Sequence, residues 1–387
     1  MSMLAVLALA ILIVHILTLA DIGQGLLRMQ WLGDVPADIV EPLPRVSIIV
    51  PACNEEKTIE PALQRLLAQD YPNLEIVVVN DRSTDGTGKL LERLQRESRG
   101  LFTILTISDL PSGWLGKSHA LQTGADKATG DILLFTDADI EMEEHTVSRA
   151  VRFLEEKELD HLCLLFQQVG GSWLLNGMIL DAASGLLTVF KPWRVRDGKR
   201  NHFIGVGAFN MVRTAAYRAV QGHRSIAMHP IDDMMLGKIV KEQGMKQQCL
   251  LGQPYVTVCW YSTAAEMVSG LMKNVFSVFH YRSWLAVSAI VLVFILNVLP
   301  LIGLVVSSGS AQILFGIAVL LRLSCLAAGA RLSRMPLSAV AGGLLAPCMS
   351  IYIIGRSAWL TVKNGGISWR GSHYSLQELR RSRPLLF

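Results

Sequence analysis

The first twenty residues of the chain, 1–20, are almost unbroken in apolar side chains, with His15 and a few small polar residues the only interruptions. A run of this length matches one crossing of a bilayer's hydrocarbon core. No basic residue precedes it and no small-x-small site closes it, so a retained anchor is expected rather than a cleaved signal peptide. Three more apolar stretches follow near the other end, at 284–306, 312–330 and 337–360. Arg322 interrupts the second of these and is expected to face protein or water, because lipid is a costly surrounding for a guanidinium. Gly342, Gly343 and Pro347 soften the third.

Hydrophobic residues make up 51% of the 387-residue chain and charged residues 18%, and most of the charges fall between Asp21 and Arg282. The pattern excludes a purely soluble protein. It predicts a membrane anchor at 1–20, a proline-punctuated linker at 21–44 and a globular domain at 45–282. Transmembrane or interfacial helices follow at 283–362, then a basic tail at 363–387. Basic residues flank the domain (Arg28, Arg45, Lys273, Arg282) and fill the tail (Lys363, Arg370, Arg380, Arg381, Arg383). The positive-inside rule wants both groups in the cytoplasm. Three full crossings between them would separate them, so either the 337–360 segment is re-entrant or interfacial, or the 312–330 segment does not cross.

The six cysteines, at 53, 163, 249, 259, 325 and 348, form no CxxC pair. That is neither a zinc pattern nor a disulfide framework, and it fits a reducing compartment. The net charge of +4 comes without a basic patch interleaved with aromatics, so no nucleic-acid partner is expected.

Within the middle domain, strands alternate with helices at short intervals. Val46-Ser47-Ile48-Ile49-Val50-Pro51 reads as a buried strand, 58–69 as a helix with Ile59, Leu63, Leu66 and Leu67 on one face, and 74–79 as a second strand ending at Asn80-Asp81. A helix over 88–96, a strand over 102–107, a helix over 118–127 and a strand at Ile132-Leu133-Leu134-Phe135 complete the series. This order predicts an α/β fold with a mostly parallel, helix-covered sheet. Three strand ends deliver Asn54 and Glu55, Asp81, and Asp137 with Asp139 toward one crevice, where open α/β sheets bind ligands. Paired hard oxygen donors such as Asp137 and Asp139 suit Mg²⁺ or Mn²⁺ and, through it, a diphosphate. Neither GxGxxG nor GxxxxGK[ST] is present, so a nucleotide held by carboxylates and metal fits better than one held by a glycine loop.

Four segments in order carry a family resemblance: Ile48-Ile49-Val50-Pro51-Ala52-Cys53-Asn54-Glu55-Glu56, Val77-Val78-Val79-Asn80-Asp81-Arg82-Ser83-Thr84-Asp85-Gly86-Thr87, Gly116-Lys117-Ser118-His119-Ala120-Leu121, and Thr136-Asp137-Ala138-Asp139. Together they resemble the motifs of family 2 glycosyltransferases, inverting enzymes with a GT-A (Rossmann-like) fold that use nucleotide sugars. The Trp369-Arg370-Gly371-Ser372-His373-Tyr374 tail is similar to that of ceramide glucosyltransferase-like members and of bacterial enzymes acting on carotenoid acids or hopanoids.

The resemblance implies a donor such as UDP-glucose or UDP-N-acetylglucosamine, a membrane lipid acceptor, and Mg²⁺ or Mn²⁺ as cofactor. It also implies roles. Asp81 contacts the uracil, while Pro51, Asn54 and Glu55 wall the nucleoside. Lys117 offsets diphosphate charge. Asp139, aided by Asp137, holds the metal. Gly205-Val206-Gly207-Ala208-Phe209-Asn210 shapes the acceptor side, a plain bulge at the glycines being the alternative. In His229-Pro230-Ile231-Asp232-Asp233, Asp233 is the candidate base that takes the acceptor's proton. Asp232 is the alternative base, or else only caps a helix starting near Met234.

The chain departs from the family pattern at Asn80, Arg82 and Cys53. It also lacks the Gln-x-x-Arg-Trp string of processive members. Lys273 falls near that position, as a diphosphate contact or as a marker of the membrane boundary, though a lysine is a point charge and not a fork. The missing string and the few C-terminal segments point to a single transfer rather than polymer synthesis. The apolar 173–193 segment is expected either at the membrane interface near the acceptor or as a core helix. Rival functions are a sugar nucleotidyltransferase, disfavoured because Pro51-Ala52-Cys53-Asn54-Glu55-Glu56 is no glycine-rich loop, and a catalytically degenerate membrane scaffold, disfavoured by the four retained aspartates.

Overall fold

Val46–Ala52 (β1) lies inside a seven-stranded sheet, paired with Leu74–Asp81 (β2) on one side and Ile132–Phe135 (β4) on the other, all parallel. The computed structural model describes residues 2–38, 41, 43–272, 274–369 and 372–386. Thr103–Ile107 (β3) extends the sheet beyond β2. Beyond β4 come Asn210–Arg213 (β6), His161–Leu165 (β5) and Gln247–Leu251 (β7), giving the order β3-β2-β1-β4-β6-β5-β7. Ile48, Ile49, Val78, Val79 and Leu134 are fully buried. Parallel strands covered on both faces have no wet side, which is why these segments read as continuous apolar runs and not as alternations.

The one reversed strand is β6. It pairs antiparallel with both β4 and β5, so Asn210, its first residue, lies opposite Phe135, the last residue of β4. The loop that precedes β6 therefore arrives at the edge where β1, β2 and β4 end. The strand order also changes direction between β1 and β4, the switch point at which such sheets open a crevice. The expected α/β architecture, a mostly parallel helix-covered sheet, is the one observed.

The chain divides into two compact units. One comprises Met29–Val169 and Pro192–Cys259 and holds the sheet. The other gathers Met1–Arg28, Gly170–Lys191 and Trp260–Phe387. The sequence placed 170–191 and 260–282 in the globular domain; here they belong with the apolar helices. Among the described residues, five helices are long and apolar enough to cross a membrane: Met3–Leu26, Trp173–Arg194, Ser283–Val306, Gly309–Leu332 and Ala339–Lys363.

Within this helical unit, Gly177 meets the backbone of Gly342 and Gly343 so closely that a Cβ at 177 would lie 2.2 Å from the carbonyl carbon of Gly342. Small residues that let two helices touch are the usual packing device where no hydrophobic drive separates protein from lipid. The glycines read as softening their segment thus form a packing notch. Arg322 faces protein as expected: its Nη2 donates to Asp181 Oδ1 at 2.8 Å and to the Gly343 carbonyl at 3.0 Å.

After Ala339–Lys363 the tail forms a hairpin of Gly366–Trp369 and Ser372–Ser375. A short helix follows, Leu376–Arg381, closed by a reciprocal Ser375–Glu378 capping box. Arg380 Nη2 donates to the Tyr281 carbonyl at 3.1 Å, and Ser357 Oγ donates to the Met272 carbonyl. The tail is thereby held beside the turn that leads into Ser283–Val306.

Candidate active site

The loop after β1 is tied to the loop after β2 by one side chain. Asn54 adopts a left-handed φ of 61°. Its Oδ1 accepts from the backbone N–H of Thr84 at 2.8 Å and of Asp85 at 3.3 Å, and its own N–H donates to Ser83 Oγ at 3.1 Å. Asn54, expected as a nucleoside contact, shapes the rim through these bonds. Glu55 is anchored alongside: its N–H donates to Thr87 Oγ1 and its carboxylate accepts from Thr58 Oγ1, both at 2.8 Å. Pro51 sits within β1 opposite Val79.

Asp81 ends β2 and is only 3% exposed. Arg82 grips both of its oxygens, Nε to Oδ1 at 2.8 Å and Nη2 to Oδ2 at 3.0 Å. This fork–fork pair fixes the carboxylate's plane. The arginine that departs from the family pattern is therefore the direct partner of the residue expected to read the base.

Past β4, Asp137 meets Lys117 from the first turn of the Gly116–Lys127 helix, Nζ to Oδ1 at 2.7 Å, and Asp232 lies on the same ammonium at 3.7 Å. Burial alone would lower the Lys117 pKa, but the charges of Asp137, Asp232 and Asp233 outweigh it and hold the ammonium protonated. Lys117, expected as a diphosphate contact, is the resident cation among three carboxylates. At Asp139, burial first and then the charges of Asp137 and Glu55 push the carboxyl pKa up to about 6. Carboxylates that raise one another in this way are relieved by a divalent cation. Among the described residues, no group of three or more His, Cys, Asp or Glu side chains is placed to enclose a metal alone. A hard divalent ion commonly takes one or two carboxylates and completes its shell from substrate phosphates and water.

Asp232 and Asp233 open the Asp232–Glu242 helix. The helix expected near Met234 begins two residues earlier, at Asp232, and neither carboxylate caps it; Ile231 occupies the capping position without a side-chain bond. Asp232 is buried, and desolvation raises its pKa against the opposing pull of Lys117. The Asp233 carboxyl is raised too, again by burial first, although Lys117 and the N–H of Gly207, 2.8 Å from Oδ2, favour its charged form. A carboxylate lifted toward neutrality is suited to take a proton.

The glycine segment is a close-approach device and not an incidental bulge. A Cβ on Gly205 would lie 1.8 Å from the Asp233 carbonyl oxygen, so only glycine lets this loop lie on the helix's first turn.

Lys117, Asp137, Gly207, Asp232 and Asp233 line a single cleft, together with Thr136, Asn210 and His223. The structure thus brings Lys117, Asp137, Asp232 and Asp233 together in one cleft, whereas Asn54, Glu55, Asp81 and Asp139 are not among its lining residues. Lys273 lies outside the described residues. His223 was not legible as a site residue. It is 1% exposed, its Nδ1 lies 2.8 Å from the Tyr217 hydroxyl, and its ring meets the Phe135 edge at 5.0 Å. Nothing in its local sequence marks it; only the fold brings the Gly222–Ile226 turn against the end of β4.

Residues 47–220 match the family described as Glycosyl transferase family 2. A 4,4'-diaponeurosporenoate glycosyltransferase of Staphylococcus aureus (strain bovine RF122 / ET3-1) is 28% identical over 228 residues, 56% of each chain. Its namesake in Staphylococcus haemolyticus (strain JCSC1435) is 26% identical over 240 residues, 59% of this chain and 60% of that one. The matched stretch thus spans little more than half the length of these relatives. Among solved structures, a mannosyltransferase from Pyrobaculum calidifontis in complex with GDP-Man and Mn²⁺ shares the fold, with a TM-score of 0.53 at 19% identity, over 93% of this chain and 98% of that one.

Proposed function

We propose that the protein, whose residues 47–220 match the family described as Glycosyl transferase family 2, is a membrane-bound, inverting, non-processive glycosyltransferase. It moves one sugar from a nucleotide sugar, UDP-glucose or UDP-N-acetylglucosamine, to an apolar lipid acceptor. The observation that carries this reading is the single cleft in which Asp232 and Asp233 face Lys117 and Asp137 where the central parallel strands end.

Asp139 and Asp137 are the residues that would hold Mg²⁺ or Mn²⁺, which when bound offsets the charge developing on the leaving nucleoside diphosphate. Asp81, oriented by the Arg82 fork, presents one fixed carboxylate to the base. Glu55 and the rim shaped by Asn54 and Pro51 border the nucleoside, and Lys273 is a candidate diphosphate contact. Lys117 keeps Asp137 and the Asp232–Asp233 pair from repelling one another in the cleft. Asp233 accepts the proton of an acceptor hydroxyl as that oxygen attacks the anomeric carbon, and the Gly207 N–H holds its Oδ2 in place.

The relatives' printed substrate name is that of a carboxylate, which supports an apolar carboxylic acid as acceptor. Such an acceptor is already ionised near neutral pH and leans less on the base. The five apolar helices support residence in a membrane, here a bacterial inner membrane with the domain in the cytoplasm. The Arg380–Tyr281 contact supports a tail on the same membrane face as residues 274–282. Three full crossings would part those groups by roughly 30 Å of hydrocarbon, so one of the C-terminal helices is re-entrant or interfacial.

The test is release of nucleoside diphosphate by the purified full chain in lipid, with a panel of UDP-sugars, Mn²⁺ or EDTA, and total bacterial lipid. Release that needs both metal and lipid is expected. Diphosphate released from a nucleoside triphosphate and a sugar 1-phosphate, with no nucleoside diphosphate from any UDP-sugar, would indicate a nucleotidyltransferase, and no release from either set of substrates by folded protein would favour the scaffold.

A further inference from the structure

Behind the base-bearing helix runs a chain of buried polar groups that the proposed chemistry does not use. The Gln247 amide, on β7, donates to His161 Nδ1 at 2.6 Å and to the Gly237 carbonyl at 3.0 Å, and its Oε1 accepts from the Ile204 N–H at 3.1 Å. With Nδ1 accepting, the neutral imidazole carries its proton on Nε2 and donates to Asn210 Oδ1 at 2.5 Å. Asn210 Nδ2 in turn donates to the Asp233 carbonyl at 3.4 Å. His161, Asn210 and Gln247 are 0–2% exposed.

Polar groups this deep are costly unless each finds its partner, and here they link three adjacent strands to both ends of one helical turn. Gln247 holds Gly237 and the Ile204 end of the glycine loop, while Asn210 holds Asp233 itself. The amide and imidazole have fixed shapes, so the link transmits position where an apolar core would only fill volume.

We infer that His161, acting through Asn210, is a positioning residue for the Asp232–Asp233 pair. It holds the first turn of the Asp232–Glu242 helix against the Gly205–Gly207 loop so that the carboxylates keep their place in the cleft. His161 is fully buried and cannot touch substrate, so its effect must travel through the hydrogen bonds.

The inference rests on the glycosyl-transfer reading, and its test separates the two. His161→Leu keeps the volume and removes both hydrogen bonds. His161→Gln keeps a donor for Asn210. In the full chain in lipid, His161→Leu is expected to lower kcat about tenfold or more, as for a misplaced catalytic group, with KM for the UDP-sugar and Kd for UDP within about twofold of the parent. His161→Gln is expected to recover most of the loss. Amide hydrogen exchange over 229–240 should rise in His161→Leu and not in His161→Gln, a readout that needs no turnover. Parent-like kcat and exchange in a folded His161→Leu would overturn the inference, as would equal loss in both variants. If His161→Leu does not fold, Asn210→Ala must show the same fall in kcat at unchanged UDP affinity; full kcat there would overturn it equally. An inactive parent protein refutes the transfer reading instead, and the exchange data then decide the clamp by themselves.

Discussion

Replacing Lys117 by methionine removes one charge from a cleft in which three carboxylates are arranged around it. The ammonium is 2.7 Å from Asp137 and 3.7 Å from Asp232. At an effective dielectric near 20 these separations correspond to gross attractions of about 6 and about 4 kcal/mol. Desolvation of the lysine offsets much of that, and losing one partner of a buried pair typically costs about 3–5 kcal/mol. Asp137 is 35% exposed, so water screens its share, while the Asp232 side chain is 7% exposed and screened little. A net loss of about 2–3 kcal/mol follows.

In a sheet-bearing unit of Met29–Val169 with Pro192–Cys259, that lowers its Tm by about 4–12 °C. The loss depends on pH with a definite sign. Asp232 and Asp233 have raised folded pKa values, so their contribution is present in acid and is lost as pH rises through those values. Without Lys117 the carboxyl groups rise further, so Lys117→Met falls furthest behind the parent near pH 8 and recovers toward pH 5. Calorimetry of the full chain in detergent at both pH values measures this. Equal stability near pH 8, or a gap that does not narrow in acid, would refute the reasoning.

Two further outcomes are expected. His161 is buried neutral with its pKa lowered to about 4 by desolvation. The folded state therefore binds fewer protons than the unfolded one as pH falls from 6.5 toward 4, and up to about 3 kcal/mol of stability present above that window is lost across it; His161→Gln should flatten this part of the acid-unfolding profile, and an unchanged profile would contradict it. Asp233→Asn should retain a larger fraction of kcat with an apolar carboxylic acid than with an apolar alcohol, because only the alcohol needs its proton removed; equal fractions in parallel kinetic assays would count against Asp233 as base.

The first half of the sheet was legible because β1, β2 and β4 are parallel and buried on both faces, so their sequence is a run of Val, Ile and Leu bounded by polar ends. The same ends supply Asp81, Asp137 and Asp139, which is why those residues stood out. The second half was not legible. Asn210–Arg213 is four residues long and reversed, and His161 and Gln247 place polar side chains inside strands, against the pattern that announces one. Their partners are long-range, so no local period reports them.

Lys117 was recognisable as a site cation but not as the counter-ion of three carboxylates, because that depends on where the fold brings the start of the Asp232–Glu242 helix. Asp232 next to Asp233 could be read as a helix cap; only the fold shows that the helix begins at Asp232 and turns both carboxyls inward. The 173–193 segment was ambiguous for a physical reason as well. An apolar helix packed on other apolar helices has the same composition as a core helix.

The central claim is transfer of a single sugar to an apolar lipid through the carboxylate cleft. Its most direct test is mass spectrometry of the lipid fraction after incubating the full chain in membranes with a UDP-sugar and an apolar carboxylic acid, for the parent and for Asp139→Asn. The account predicts an acceptor heavier by one sugar, formed only with Mg²⁺ or Mn²⁺ present and absent with Asp139→Asn. A product carrying a chain of sugars, or one formed equally by Asp139→Asn or in EDTA, would contradict it.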